Sequence, residues 1–368
     1  MAMLRPERRH SGIIASVVLV LLMLGSLAPN PFSSTRSAKH AAWASSNIIS
    51  SAISYVDTAM GYAELAPSLR SLIEYELGTS SSRKVYLGRN GHLYYGAERA
   101  AEQSAGLIYR ASEVIRFAEL SSVLSRELQK RGAPLVITVP PNAQSIAIED
   151  LPRSPKARPR LEYDLLFKEL KKRGLAAVDL KSHFLAIGDG NSVYRKTDTH
   201  WTSRGAVIAF NQVMSSAKHP EWKVDVNEVL GPVKTVQAGD LARMLGLQNF
   251  LTDENADILP ARNAKDWQPS QILHSSNPQP VFDSYSFERK GAETTDRILV
   301  IGDSFTQHFW LPLLQRTDAA MIGWMHHLEC KFDFADVERF KPTLVILAPT
   351  ERYARCPTKN WPVGLPRR

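Results

Sequence analysis

The chain has 368 residues, is 44% hydrophobic and carries 45 Lys and Arg against 37 Asp and Glu, a formal net charge of +8. That composition is ordinary for a globular protein and leaves room for one large domain with extensions, or for two domains. The basic residues are scattered, with no stripe interleaved with aromatics, which argues against nucleic acid as a partner.

At the N-terminus, Arg5, Arg8 and Arg9 precede an uncharged run over residues 11–28, rich in Ile, Val and Leu. Arginines before an apolar run predict that the start stays cytoplasmic and the rest is exported. The run is short for a spanning helix and long for a signal-peptide core. Ser26 and Ala28 suit signal peptidase, but Pro29 would become the new N-terminus and hinders cleavage. An uncleaved anchor is therefore favoured over a cleaved signal. The expected division is a cytoplasmic tail at 1–10, an anchor at 11–28, a linker and helical juxtamembrane region at 29–82, and one domain at 83–368. Cys330 and Cys356 suit a disulfide in an exported protein, though their spacing equally allows two buried thiols.

Residues 41–77 read as helix, interrupted at Pro67, with Ile48, Ile49, Ile53, Val56 and Met60 as a packing stripe. Residues 85–95 read as a hairpin turning at Asn90-Gly91. A long helix is predicted over 98–130, ended by Gly132 and Pro134. Next come a buried strand at 135–139, stopped by Pro140-Pro141, a helix at 161–173 and a strand at 176–180. Asn142 lies just past the first strand's carboxyl end, where open α/β sheets bind ligands. Helix–strand alternation predicts a parallel sheet. Thr202 or Ser203 caps a helix that buries Val207, Phe210 and Met214. Residues 218–296 show little pattern beyond a short capped helix at 239–246, which either flanks the substrate cleft or is surface decoration, the second being favoured. Further strands are predicted at 298–301, 319–324 and 343–347. The last leads to Glu351 and Arg352, read as a bracing ion pair, with Arg352 meeting an anionic sugar as the alternative.

Two stretches carry chemistry. In the first, the apolar run Ile298 to Ile301 leads into Gly302-Asp303-Ser304-Phe305, a strand and a turn that present a serine hydroxyl. Ser304 either caps the following helix or acts as a nucleophile with backbone N–H groups around it. In the second, Asp198 and His200 stand two residues apart, so an extended backbone turns both to the same side. A carboxylate, an imidazole and a hydroxyl are the set that activates a serine. Asp-x-His is also metal-ligand spacing, but no second cluster at ligand spacing completes such a site, so neither metal nor cofactor is expected.

The order Gly88, Gly91, Leu93, Tyr94; Val139-Pro140-Pro141; Asp198-Thr199-His200-Trp201; Gly239-Asp240-Leu241-Ala242; Gly302-Asp303-Ser304-Phe305; Glu351-Arg352-Tyr353 resembles the alginate O-acetyltransferases of the AlgJ/AlgX type, within the SGNH-hydrolase-like superfamily. The likeness runs over about residues 83–355. It implies a three-layer α/β/α fold with a central parallel sheet, placed in the periplasm and held at the inner membrane by the N-terminal helix. It also implies catalysis by Ser304, His200 and Asp198, with Asp and His preceding the serine as in this branch. Asn142, Arg352 and Trp201 become candidates for oxyanion or substrate contacts. The implied reaction moves acetyl groups to hydroxyls of an exopolysaccharide, supplied by a membrane-bound O-acyltransferase. His92 replaces a bulky Trp, and Asn142 a basic residue, of the family pattern. No carbohydrate-binding module is visible after the domain, which points to the AlgJ form. A secreted carbohydrate esterase and a non-catalytic polysaccharide-binding protein are the competing expectations.

Overall fold

A computed structural model describes residues 66–78, 80, 82–147, 150–151, 160–273 and 283–367. The expected anchor at 11–28 and the packing stripe at 48–60 lie outside them. Among the described residues no helix is long and apolar enough to cross a membrane.

The centre is a seven-stranded sheet of β3 (Leu135–Thr138), β4 (Ala177–Val178), β7 (Trp267–Ser270), β8 (Tyr285–Arg289), β9 (Arg297–Gly302), β10 (Met321–His326) and β11 (Leu344–Ala348). Its order is β4-β3-β11-β9-β10-β8-β7. The first five of these are parallel, but β8 runs antiparallel to β10 and β7 antiparallel to β8. The sheet is therefore mixed, not parallel throughout. The two antiparallel strands arise from the stretch whose sequence shows little pattern. They pair as antiparallel neighbours, an arrangement that needs no crossover helix.

The apolar run of β9 is explained by burial on both faces. Ile298 and Val300 join one core with Val207, Phe210 and Met214 of α6 (Ser203–Ser216). Leu299 and Ile301 join the other, with α3 (Ala111–Gln129), α4 (Glu162–Lys172) and α9 (Phe334–Phe340). This gives three layers. Strand β9 lies between β10 and β11, with Gly302 level with His326 and Ala348. The chain leaves β9 for one neighbour and later returns to the other. The crevice at the carboxyl end of β9 is thus a switch point, where α/β sheets place ligands.

Around this frame, α1 spans Ala66–Glu76, and the rest of the helix expected over 41–77 lies before the described residues. The hairpin of β1 (Val85–Leu87) and β2 (Leu93–Tyr95) forms as expected, with Asn90 and Gly91 both at positive φ. The long helix predicted over 98–130 is divided. A short α2 (Ala100–Ser104) ends before Gly106, at φ 67°, and α3 starts only at Ala111. The strand expected over 176–180 shortens to β4, because Asp179 caps α5 (Leu180–Ile187) by accepting from Ser182 N. A second hairpin, β5 (Lys234–Gln237) with β6 (Thr252–Asn255), encloses the helical turn α7 (Asp240–Met244).

Cys330 and Cys356 form a disulfide across 26 residues, resolving the two readings of their spacing. Closing a loop of that size contributes about 3.5 kcal/mol through the unfolded chain. Replacing both cysteines by serine is expected to lower stability by about that amount, read as a lower denaturant midpoint with a steeper slope from the less compact unfolded chain.

Candidate active site

Strand β9 delivers the serine just past Gly302, its last residue, where Thr306 packs too close to leave room for a larger side chain. A Cβ on Gly302 would lie 2.3 Å from Thr306 Oγ1. Asp303 then caps the one-turn helix α8 (Ser304–Gln307), its Oδ1 accepting from Phe305 N at 3.1 Å. Its Oδ2 accepts from Thr350 N and Thr350 Oγ1, both at 2.8 Å, which pegs the turn to the end of β11. Burial by itself raises the Asp303 carboxyl. The neighbouring His327, the Arg352 charge and the Thr350 bonds outweigh it and hold the group well below the carboxylate range. The cap is therefore Asp303, and the Ser304 hydroxyl is left for another role.

That hydroxyl meets the second stretch. His200 Nε2 lies 2.8 Å from Ser304 Oγ, and His200 Nδ1 lies 2.6 Å from Asp198 Oδ1. An ionised carboxylate can only accept, so Nδ1 carries the proton and Nε2 accepts from the serine. Asp198 Oδ1 also accepts from His200 N at 3.0 Å, closing the two-residue spacing into a local turn. Behind it, Arg195 Nη1 donates to Asp198 Oδ2 at 2.7 Å. Burial pushes the Asp198 carboxyl up, but the His200 hydrogen bond and charge, with Arg195, bring it well below its ordinary range. Thr202 is the cap of α6, accepting from Gly205 N at 3.1 Å, so the segment enters the helix at a fixed angle. The His308 ring sits 5.3 Å from that of His200, and burial followed by the His200 charge lowers its pKa.

The support for this line comes from the region with little sequence pattern. Asp240 accepts from Thr199 N at 2.7 Å and from Thr199 Oγ1 at 2.6 Å. Asp253 accepts from Thr197 N at 2.9 Å and from Thr197 Oγ1 at 2.7 Å. Thr197 Oγ1 in turn accepts from Gly239 N at 2.9 Å. Helix α7 is thus a wall of the site, not surface decoration. Asp240 and Asp253 carry no local mark because each acts on a partner far off in sequence. The one local signal was Arg195, three residues before Asp198. Donor atoms of Asp198, His200 and Asp240 lie within 4.8 Å of one another. Here those side chains are joined by hydrogen bonds, Asp198 to His200 and Asp240 to Thr199.

Gly239 presses directly on the carboxylate: a Cβ there would sit 2.3 Å from Asp198 Oδ2. Gly239→Ala must displace Asp198. A shift of about 1 Å is expected to slow the reaction roughly a hundredfold, measured as turnover of a small activated acetyl ester by the folded variant.

The other predicted residues fall in different places. Asn142 is buried past β3, with its N donating to Glu351 Oε2 at 2.7 Å and Nδ2 to Ser104 Oγ at 3.2 Å. Its recorded hydrogen bonds run to that network and not to the triad. Glu351 does not brace Arg352, since its carboxylate takes Asn142 N and Ser145 Oγ instead. The Arg352 guanidinium lies over the rings of Tyr95, Phe305 and Tyr353, at 5.1, 5.3 and 5.2 Å. It therefore borders the residue next to Ser304. Trp201 is fully buried and stacked on Trp310, with ring centroids 6.2 Å apart. It offers no surface to a substrate and is a packing residue beneath the site. His92 stacks on Tyr94 at 4.2 Å and bonds Asn191, inside the hairpin.

The family model described as "SGNH hydrolase-like domain, acetyltransferase AlgX" matches residues 85–321. The chain is 24% identical over 201 residues to the probable alginate O-acetylase AlgJ of Pseudomonas syringae pv. tomato, covering 54% of this chain and 50% of that protein. To the protein of the same name in Pseudomonas aeruginosa it is 26% identical over 146 residues, covering 39% and 35%. It therefore spans half or less of the curated relatives it matches. The solved structure of Bacillus cereus PatB1 shares the fold, with a TM-score of 0.53 at 12% identity, covering 74% of this chain and 97% of that one. Because the family model spans well over half of the sequence and includes both Asp198 and His200, the chain belongs to the AlgJ/AlgX-like family of SGNH-hydrolase-like proteins.

Proposed function

We propose that the chain is an O-acetyltransferase that moves acetyl groups onto hydroxyls of an alginate-like exopolysaccharide through an acetyl-Ser304 intermediate. The observation that carries this reading is the continuous line from Asp198 through His200 to Ser304, at 2.6 and 2.8 Å. The names of its relatives, probable alginate O-acetylases, support the acyl group and the class of acceptor.

In the first step Ser304 Oγ attacks the acetyl carbonyl as its proton passes to His200 Nε2. The tetrahedral oxyanion collapses, and the donor's leaving oxygen takes that proton. A sugar hydroxyl then gives its proton to His200 and attacks the acetyl carbon. Collapse releases the sugar ester and returns the proton to Ser304 Oγ. Asp198 stabilises the imidazolium in both halves. The Ser304 N–H, at the first position of α8 and without an intrahelical acceptor, is one oxyanion donor. Arg352, beside Phe305, adds positive charge near the developing anion.

In this reading residues 11–28 anchor the domain at the periplasmic face of the inner membrane, beside a membrane-bound O-acyltransferase that supplies acetyl groups. Residues 83–368 form the catalytic domain. The test is mass spectrometry of the protein mixed with an activated acetyl ester. One added acetyl on Ser304 is expected, lost on addition of an oligosaccharide that gains it. Ester hydrolysis with no acetylated sugar would replace transfer by the esterase reading.

A further inference from the structure

A second site lies away from the triad, in a cavity of about 530 Å³ lined by Arg116, Glu119, Arg126, Arg173, Trp361 and Arg367, among other residues. Arg116, Glu119 and Arg126 fall on one face of α3, at spacings of three and seven. The two arginines are ten residues apart, about 15 Å along the helix. Arg173 follows the last turn of α4, and Arg367 comes from the C-terminal segment. Four guanidinium groups thus face a single carboxylate in the wall. Arg173 pairs with Glu169, and Arg126 donates to Ser122 Oγ at 3.2 Å. Among the described residues neither Arg116 nor Arg367 makes an ion pair.

Gathering like charges around a concave surface focuses a positive potential in it. The charged groups are arginines, whose planar fork matches a carboxylate with two parallel hydrogen bonds. Trp361 supplies the apolar wall. Its indole is held in place by donating Nε1 to Leu365 O at 3.1 Å. Spaced guanidiniums beside a fixed aromatic face suit a chain of sugar rings, each with an apolar face and an equatorial carboxylate. Glu113, one turn before Arg116, holds Arg355 at 2.7 Å, three residues after Arg352.

We infer that this cavity is a non-catalytic binding site for a carboxylated saccharide. Its identification with the acceptor polymer rests on the function proposed above; the binding itself does not. A guanidinium–carboxylate contact is worth a tenfold change in affinity or more. The test is calorimetric titration of the full chain with short uronic-acid oligosaccharides and with their carboxyl-reduced counterparts. The acidic oligomers are expected to bind, more weakly as salt rises, and the reduced ones at least tenfold less tightly. Arg116→Gln with Arg126→Gln is expected to weaken binding tenfold or more, with unchanged melting and unchanged turnover of a small acetyl ester at Ser304. Arg367→Gln, outside every helix, is expected to act in the same direction without disturbing α3. Equal affinity for reduced oligomers, or unaltered binding by these variants, overturns the site. So does sedimentation with anionic lipid vesicles in the absence of oligosaccharide binding. Oligouronate binding without any acetyl transfer would count against the proposed reaction and leave this site standing.

Discussion

Ser304→Ala is expected to lower acetyl transfer by about a thousandfold or more while leaving the fold and its melting temperature unchanged. Both halves of that expectation come from the turn. The helix cap after β9 is Asp303, which holds Phe305 N and Thr350, so loss of the serine hydroxyl removes no structural hydrogen bond to the backbone. The bond recorded for Ser304 Oγ is the one at 2.8 Å to His200 Nε2. In the proposed reaction, the hydroxyl is the group that carries the acetyl between donor and acceptor. The checks are steady-state transfer, trapping of the acyl-enzyme and a melting curve. A variant with undiminished transfer would take Ser304 out of the chemistry, whatever its position.

Asp198→Asn is expected to cost on the order of 10⁴-fold in kcat, with KM little changed. The amide keeps the shape but presents a donor as well as an acceptor to His200 Nδ1. It thereby stabilises the tautomer with the proton on Nε2, facing Ser304 Oγ, where it cannot accept. It also removes the anion held by Arg195 at 2.7 Å and leaves that arginine to Asp253. A second consequence appears in stability. The Asp198 carboxyl is held below its unfolded value of 3.8, so its contribution is complete above that pH and fades as pH falls through the folded value. Asp198→Asn should therefore be less stable than the parent at neutral pH, with the difference shrinking on acidification. Denaturant midpoints of both proteins at neutral pH and near pH 3 check the sign. A KM effect alone, with kcat intact, would mean Asp198 binds substrate instead of orienting the base.

The sequence by itself determined the pieces whose causes are local. Ile298 to Ile301 must be a strand buried on both faces, because no four-residue helix would bury all of them. Gly302 must turn, Asp198 and His200 must share a side, and Asn90-Gly91 must close a hairpin. Those inferences needed only side-chain size, spacing and backbone freedom. They were enough to single out Ser304, His200 and Asp198, and the order of the short motifs pointed to the family.

What only the tertiary structure decided depends on contacts between distant segments. The meeting of Ser304 with His200, 104 residues away, depends on α6, which the His200 segment enters, packing in one core with β9. Whether Glu351 would face Arg352 or Asn142 turned on which buried N–H lacked a partner, and the carboxylate went to Asn142 N and Ser145. Trp201 looked available beside His200 and proved buried, bridged to Tyr194 and packed under the site against Trp310. Helix α7 looked like decoration because its role is steric. Gly239 matters through the Cβ it lacks, against a carboxylate 41 residues earlier in the chain. An interaction made by an absent atom, or by a residue's distant neighbour, leaves no periodic mark on the amino-acid order; it exists only once the layers have packed.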